Sequence, residues 1–226
     1  MRALFLSMML LAATPLQAQT PPSATEIAAY DGLLKAALDG DAATIRKLTA
    51  GGADPDIRDG AGRTPAHVAA FASNDDALRE LAGAGADMNA LENRAYDVLT
   101  IAAVANDVDM VSLALELGNR PDLVTSPYDG TALIAAAHLG HAEVVRRLIA
   151  AGAPLDHVNN LAWTALIEAV VLGDGGRDHI DTVRALVEAG ADISIGDRNG
   201  VTPLEHAEAR GYSEIAEIIR GAKPRQ

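Results

Sequence analysis

The chain repeats itself about every 33 residues, and that period constrains its fold more than any other feature. Glycines that follow Leu/Val-rich helical runs stand at Gly52, Gly85, Gly118, Gly152 and Gly190, separated by 33, 33, 34 and 38 residues. A second series, Asp31, Thr64, Asp97, Thr131, Thr164 and Thr202, steps by 33, 33, 34, 33 and 38, as does a third, Ala36, Ala69, Ala102, Ala136, Ala169 and Ala207. A unit this short cannot bury an apolar face alone. It must stack on its neighbours, so a fixed period of this size specifies a linear array.

Each series has a physical cause. The Thr/Asp residues can cap a helix start with a side-chain oxygen, and Pro65 and Pro203 follow two of them where a missing N–H costs nothing. A first helix, A, begins there. The glycines suit the left-handed residue that ends a second helix, B. The alanines fall five residues into helix A, where a small side chain lets adjacent units approach. Leu48, Leu81, Ala114, Leu148, Leu186 and Ile219 supply the matching bulk from helix B. With aromatics at only 3%, small-residue helix packing is the available core, and the fold class is all-α.

Thr64-Pro65-Ala66-His67-Val68-Ala69 and Thr202-Pro203-Leu204-Glu205-His206-Ala207, with Gly-Ala-Asp at 52–54, 85–87 and 190–192, resemble the signature of the ankyrin-repeat family. The resemblance spans about 27–222 and implies an ankyrin solenoid of helix-turn-helix units with short β-turn fingers. It is weakest in the third unit, where Asp97-Val98-Leu99-Thr100 replaces the signature and Gly118-Asn119-Arg120 replaces Gly-Ala-Asp. The units divide into an N-terminal cap at 27–59, repeats at 60–92, 93–126, 127–159 and 160–197, and a C-terminal cap at 198–222, with a tail at 223–226. The fourth internal repeat is longer because 173–180 replaces the short connection between its helices. That insertion reads either as a surface elaboration or as a functional loop carrying Asp174, Arg177, Asp178 and His179.

Residues 1–18 have the layout of a cleavable signal peptide: Arg2, an apolar stretch from Ala3 to Ala13, and Ala18 at the cleavage point. The stretch is too short to span a bilayer, and residues 19–26 follow as a linker. The expected location is therefore periplasmic or secreted, with no membrane insertion after cleavage. No cysteine is present, so disulfides and thiolate sites are excluded. The formal net charge of −13 disfavours nucleic acid and anionic lipid, and loss of Arg2 with the leader makes it more negative.

Catalytic chemistry finds no residue set. His67, His141 and His206 sit at repeat-consensus positions, whereas His138, His157 and His179 fall at different parts of the repeat. There is no His-Glu-x-x-His, calcium loop, P-loop or nucleophile elbow. The expectation is a monomer that is not an enzyme and has no cofactor and no metal site.

The resemblance implies a protein partner bound in a concave groove formed by the fingers and helix A. The position before each cap holds Arg63, Tyr96, Gly130, Trp163 and Val201, and the position two after each repeat alanine holds Leu38, Phe71, Val104, His138, Val171 and Ala209. Arg63, Phe71, Tyr96, Val104, His138, Trp163 and Val171 are the expected partner contacts, because exposed aromatic and arginine side chains dominate interface energetics. The alternative is that Tyr96 and Trp163 fold over their own hairpins. Resemblance to exported bacterial ankyrin proteins implies two other roles: a peroxide-stress or catalase-supporting factor or metal-dependent enzyme, and an immunity-type inhibitor of a secreted protein.

Overall fold

The computed structural model describes residues 19–222; the leader and the tail read from the sequence lie outside them. Thirteen helices occur among the described residues: α1 (Ala24–Ala29), α2 (Gly32–Asp39), α3 (Ala42–Ala50), α4 (Pro65–Phe71), α5 (Asp75–Gly83), α6 (Val98–Val104), α7 (Val108–Glu116), α8 (Ala132–His138), α9 (Ala142–Ala150), α10 (Ala165–Val171), α11 (Arg177–Glu188), α12 (Pro203–Ala209) and α13 (Ser213–Gly221). Those residues hold no strand, only an isolated bridge between Thr125 and Gly130. From α2 onward the even-numbered helices are helix A, and the odd-numbered helices after them are helix B. They form two rows, with α2, α4, α6, α8, α10 and α12 inside and α3, α5, α7, α9, α11 and α13 outside; the inner row stacks throughout, and in the outer row α3 packs on α5 and α7, α9, α11 and α13 pack in succession.

The periodic residues stand where their chemistry places them. Asp31, Thr64, Asp97, Thr131, Thr164 and Thr202 each occupy the cap position of an inner helix. The six alanines are buried between those helices, and Leu81, Ala114, Leu148, Leu186 and Ile219 are fully enclosed beneath them. Each enclosed leucine or isoleucine contributes about 1.5–3 kcal/mol of transfer free energy. Gly52, Gly85, Gly118, Gly152 and Gly190 all have φ between 86° and 100° just past the outer helix, a conformation a Cβ would strain.

Two segments differ from the sequence reading. Residues 19–26, read as a linker, enter α1, which starts at Ala24 behind a capping box of Ser23 and Glu26. Glu26 also pairs with Arg63, tying this helix to the array. The 173–180 insertion is not all connection, because Arg177 to Ile180 form the first turn of α11. Gly176 is its cap, Asp178 favours the positive end of the helix, and Arg177 pairs with Asp181 at 2.9 Å. The added residues thus lengthen an outer helix to 12 residues.

His67 fixes the second unit from inside. Its Nδ1 accepts from the Thr64 N–H at 3.1 Å, so its proton sits on Nε2 and is donated to the Tyr96 carbonyl at 3.0 Å. Burial lowers its pKa from 6.5 to about 4. Protonation therefore favours the unfolded chain. His67 supports the fold fully above about pH 6.5 and loses that support as pH falls towards 4, a change of about 3 kcal/mol at full extent. His67→Gln should flatten this acid arm of the stability profile, and an NMR titration should place the His67 midpoint near 4; a midpoint near 6.5 contradicts this.

Candidate functional site

Five fingers, between α3 and α4 and at each later junction of an outer with an inner helix, are built by one device that the sequence reading missed. Five residues before each cap, Asp59, Glu92, Ser126, Asn159 and Asp197 turn a side-chain oxygen inward. It accepts the backbone N–H groups two and four residues on: Ala61 and Arg63, Arg94 and Tyr96, Tyr128 and Gly130, Leu161 and Trp163, Asn199 and Val201, at 2.8–3.4 Å. The first four fingers are joined by backbone bonds from Asn93 to Ala61, Ser126 to Ala95 and Asn160 to Tyr128, and the fifth by the Arg198 guanidinium, which donates to the Asn160 carbonyl at 3.0 Å. Side chains on the fingers are therefore presented from a connected wall.

Between that wall and the inner helices lies an apolar cleft of about 340 Å³. Tyr96, Tyr128, Leu161 and Trp163 form its finger side; Val104, Ile134, His138, Leu139 and Leu172 form its helical side. Polar groups lie on its floor. His138 Nδ1 meets Glu168 Oε2 at 3.1 Å, and Asn159 Nδ2 donates to Glu168 Oε1 at 2.7 Å, so this buried carboxylate links helix α10 to the fourth finger and to α8. Asp97 is also buried at the cap of α6. Burial pushes its carboxyl up, against the hydrogen bonds it accepts from Thr100 and Asn119.

The structure assembles Tyr96, Val104, His138 and Trp163 around this cleft. Phe71 lies apart, in a smaller cavity with Arg63, Glu92, Arg94, Gln19 and Thr20, and Tyr96 borders both. Two expected contacts are corrected. Arg63 is only 3% exposed, its Nε donating to Asp59 Oδ2 at 2.7 Å while the guanidinium also pairs with Glu26, so it holds the first finger and α1 rather than facing outward. Tyr96 is 4% exposed and offers the cleft a wall rather than an open anchor. Val171 lines neither cavity, and its carbonyl accepts from Arg210 at 3.2 Å.

The loop candidates have internal partners. Asp174 accepts from the Gly176 N–H at 2.8 Å and meets His179 Nδ1 at 3.0 Å, while His179 Nε2 donates to the His138 carbonyl at 3.1 Å. The same clamp recurs along the array: Asn74 reaches Ala37 and Leu38, His141 reaches Ala103, and Tyr212 reaches Gly173, each binding a carbonyl of the preceding unit. His179 keeps that link despite the insertion. Asp178 is exposed. Tyr128, Leu139 and Leu172 were not anticipated. Leu139 and Leu172 occupy the column eight residues after the cap, where Ala72 and Ala105 stand in earlier units, so a break from alanine to leucine was the available signal.

Among the described residues no group of three or more His, Asp or Glu is placed to hold a metal ion, and no helix is long and apolar enough to cross a membrane. The family model described as ankyrin repeats (3 copies) matches residues 33–125 and 99–197. The ankyrin repeat protein YahD of Escherichia coli K12 is 32% identical over 191 residues, covering 84% of this chain and 94% of its own. Among solved structures, an ankyrin repeat domain from Acinetobacter baumannii AYE is 41% identical with a TM-score of 0.79, covering 84% of this chain and 98% of its own. The ankyrin repeat protein EF0377 is 32% identical with a TM-score of 0.79, covering 86% and 100%. An inner row of capped helices of seven or eight residues, an outer row closed by left-handed glycines, a finger at each junction and these matches agree: the chain belongs to the ankyrin-repeat family.

Proposed function

We propose that this protein is an exported, non-catalytic interaction module that works as a monomer in the bacterial periplasm and binds one partner protein across its concave face. Ankyrin repeats are interaction scaffolds, and no enzymatic family is indicated. The observation that carries the reading is the cleft, where Tyr128, Trp163, Leu139 and Leu172 form an apolar strip of roughly the size an inserted side chain or two would fill. Tyr128 and Leu139 are exposed at its rim. A partner with an apolar anchor and a basic surround would complement both this strip and the acidic chain. Export is supported by the leader layout of residues 1–18.

Wild-type protein immobilised against periplasmic extract should retain one specific protein. Tyr128→Ala with Trp163→Ala should weaken that complex by at least about 100-fold. Tyr128→Ala alone, at an exposed finger tip, should weaken it without lowering the melting temperature. Arg146→Ala with Arg184→Ala, on the outer helices, should leave it intact. Equal loss in the outer variant, or undiminished capture by the double cleft variant, contradicts the reading.

A second reading makes the partner a secreted enzyme held inactive. It draws on a chain in the complex of the predatory endopeptidase Bd0816 of Bdellovibrio bacteriovorus with immunity protein Bd3460, which shares the fold at 22% identity and a TM-score of 0.71. Identification of the captured protein as a hydrolase whose activity falls on binding selects this reading.

A further inference from the structure

Gln19 stands at the head of the concave face with part of its polarity unsatisfied. It is 8% exposed and borders both cavities, each of which Tyr96 also lines, yet its Nε2 is buried without a hydrogen-bond partner. The neighbouring residue is anchored: the Thr20 carbonyl accepts from Arg63 at 3.4 Å and Thr20 Oγ1 accepts from Arg94 at 3.1 Å. Glu26 then fixes the start of α1 to Arg63. Thr20 and Glu26 thus hold Gln19 close to the array, while its own amide nitrogen gains nothing from the site.

The export reading places cleavage between Ala18 and Gln19, which makes Gln19 the first residue of the mature chain. A glutamine at a free N-terminus carries a nucleophile and an electrophile on one residue. Its α-amine can reach its own Cδ to close a five-membered ring, an intramolecular reaction favoured by proximity alone.

We propose that Gln19 is a modification site: once the leader is removed it closes to a pyroglutamate lactam, seated against Tyr96 at the N-terminal end of the groove. This rests on the export reading above. The α-amine nitrogen forms a bond to Cδ, the Cδ–Nε2 bond breaks, and Nε2 leaves as ammonia with the proton given up by the amine. No oxidant or co-reactant is consumed. The nitrogen that departs is the one the fold leaves unpaired. Closure also removes the α-ammonium charge and replaces a flexible side chain with a ring.

The test is the intact mass and N-terminal state of protein exported from its full-length precursor, compared with the Q19A variant. The expected result is a chain of residues 19–226 lighter by one ammonia, refractory to stepwise N-terminal degradation until treated with pyroglutamyl aminopeptidase. Q19A should carry a free amine and melt about 2–4 °C lower. A chain of residues 19–226 at full mass with a free amine overturns the modification and leaves export standing. Any other first residue overturns both. Equal melting of the cyclised protein and Q19A overturns the seat against Tyr96.

Discussion

Arg63→Ala should destabilise the protein by about 3–5 kcal/mol, the usual consequence of removing one partner from a buried ion pair. The guanidinium and the Asp59 carboxylate are 3% and 6% exposed and meet at 2.7 Å. Asp59 Oδ1 also accepts two backbone N–H groups of the first finger, and its Oδ2 accepts from Tyr30 at 2.6 Å. Burial alone would raise the Asp59 pKa, but the hydrogen bonds from Tyr30 and Arg63 outweigh it and hold the carboxyl below the usual range. A carboxyl depressed in this way contributes stability above its unfolded pKa of about 4, and that contribution is lost as pH falls below it. The deficit of Arg63→Ala should therefore be largest at neutral pH and shrink under acid conditions. In a double-mutant cycle, Arg63→Met with Asp59→Asn should cost less than the sum of the single changes. Urea unfolding at pH 7 and well below pH 4 checks both points. An unchanged midpoint with weakened partner binding would restore Arg63 as a contact residue.

Leu148→Ala should cost about 2–5 kcal/mol, because the site is enclosed and cannot collapse around a missing isobutyl group. Leu148 lies on α9, which packs against α7, α8 and α11, so the cavity sits between central units. In a linear array, stability is a sum of unit and interface terms, and a central lesion weakens the coupling of both halves. Ile219→Ala, in the last helix, loses a similar side chain but should mainly fray α12 and α13. Trp163 is the single tryptophan and lies in the unit next to Leu148, so its fluorescence reports the central change directly. A Leu148→Ala midpoint within about 0.5 kcal/mol of wild type contradicts this packing account.

The caps and the core were legible in the sequence because both are set by local chemistry repeated at a fixed interval. An oxygen-bearing residue precedes every inner helix from Asp31 to Thr202, and a left-handed glycine follows each outer helix from Gly52 to Gly190. Departures from the signature in the third unit changed the residues and kept the geometry: Asp97 still accepts from the Thr100 N–H at 2.8 Å. The concave face was less legible. Its exposure depends on which side chains another part of the chain has already engaged. Arg63 occupies the same position as Trp163, yet it is enclosed because Asp59 lies four residues before it and α1 returns Glu26 from 37 residues away. Glu168 showed no local signal either. Its partners, Asn159 and His138, come from a finger and from another helix. The finger device of Asp59, Glu92, Ser126, Asn159 and Asp197 did keep the repeat register, but four residue types share the role, which hid the series from a search for identical residues.

Binding across the concave face is tested most directly by hydrogen exchange of the protein with and without its captured partner. Protection should rise at the finger segments 126–130 and 159–164 and at the helix ends around Leu139 and Leu172, with α9 and α11 unchanged. Protection confined to α9, α11 and α13, with the fingers exchanging as in the free protein, would place the partner on the opposite face and contradict the account.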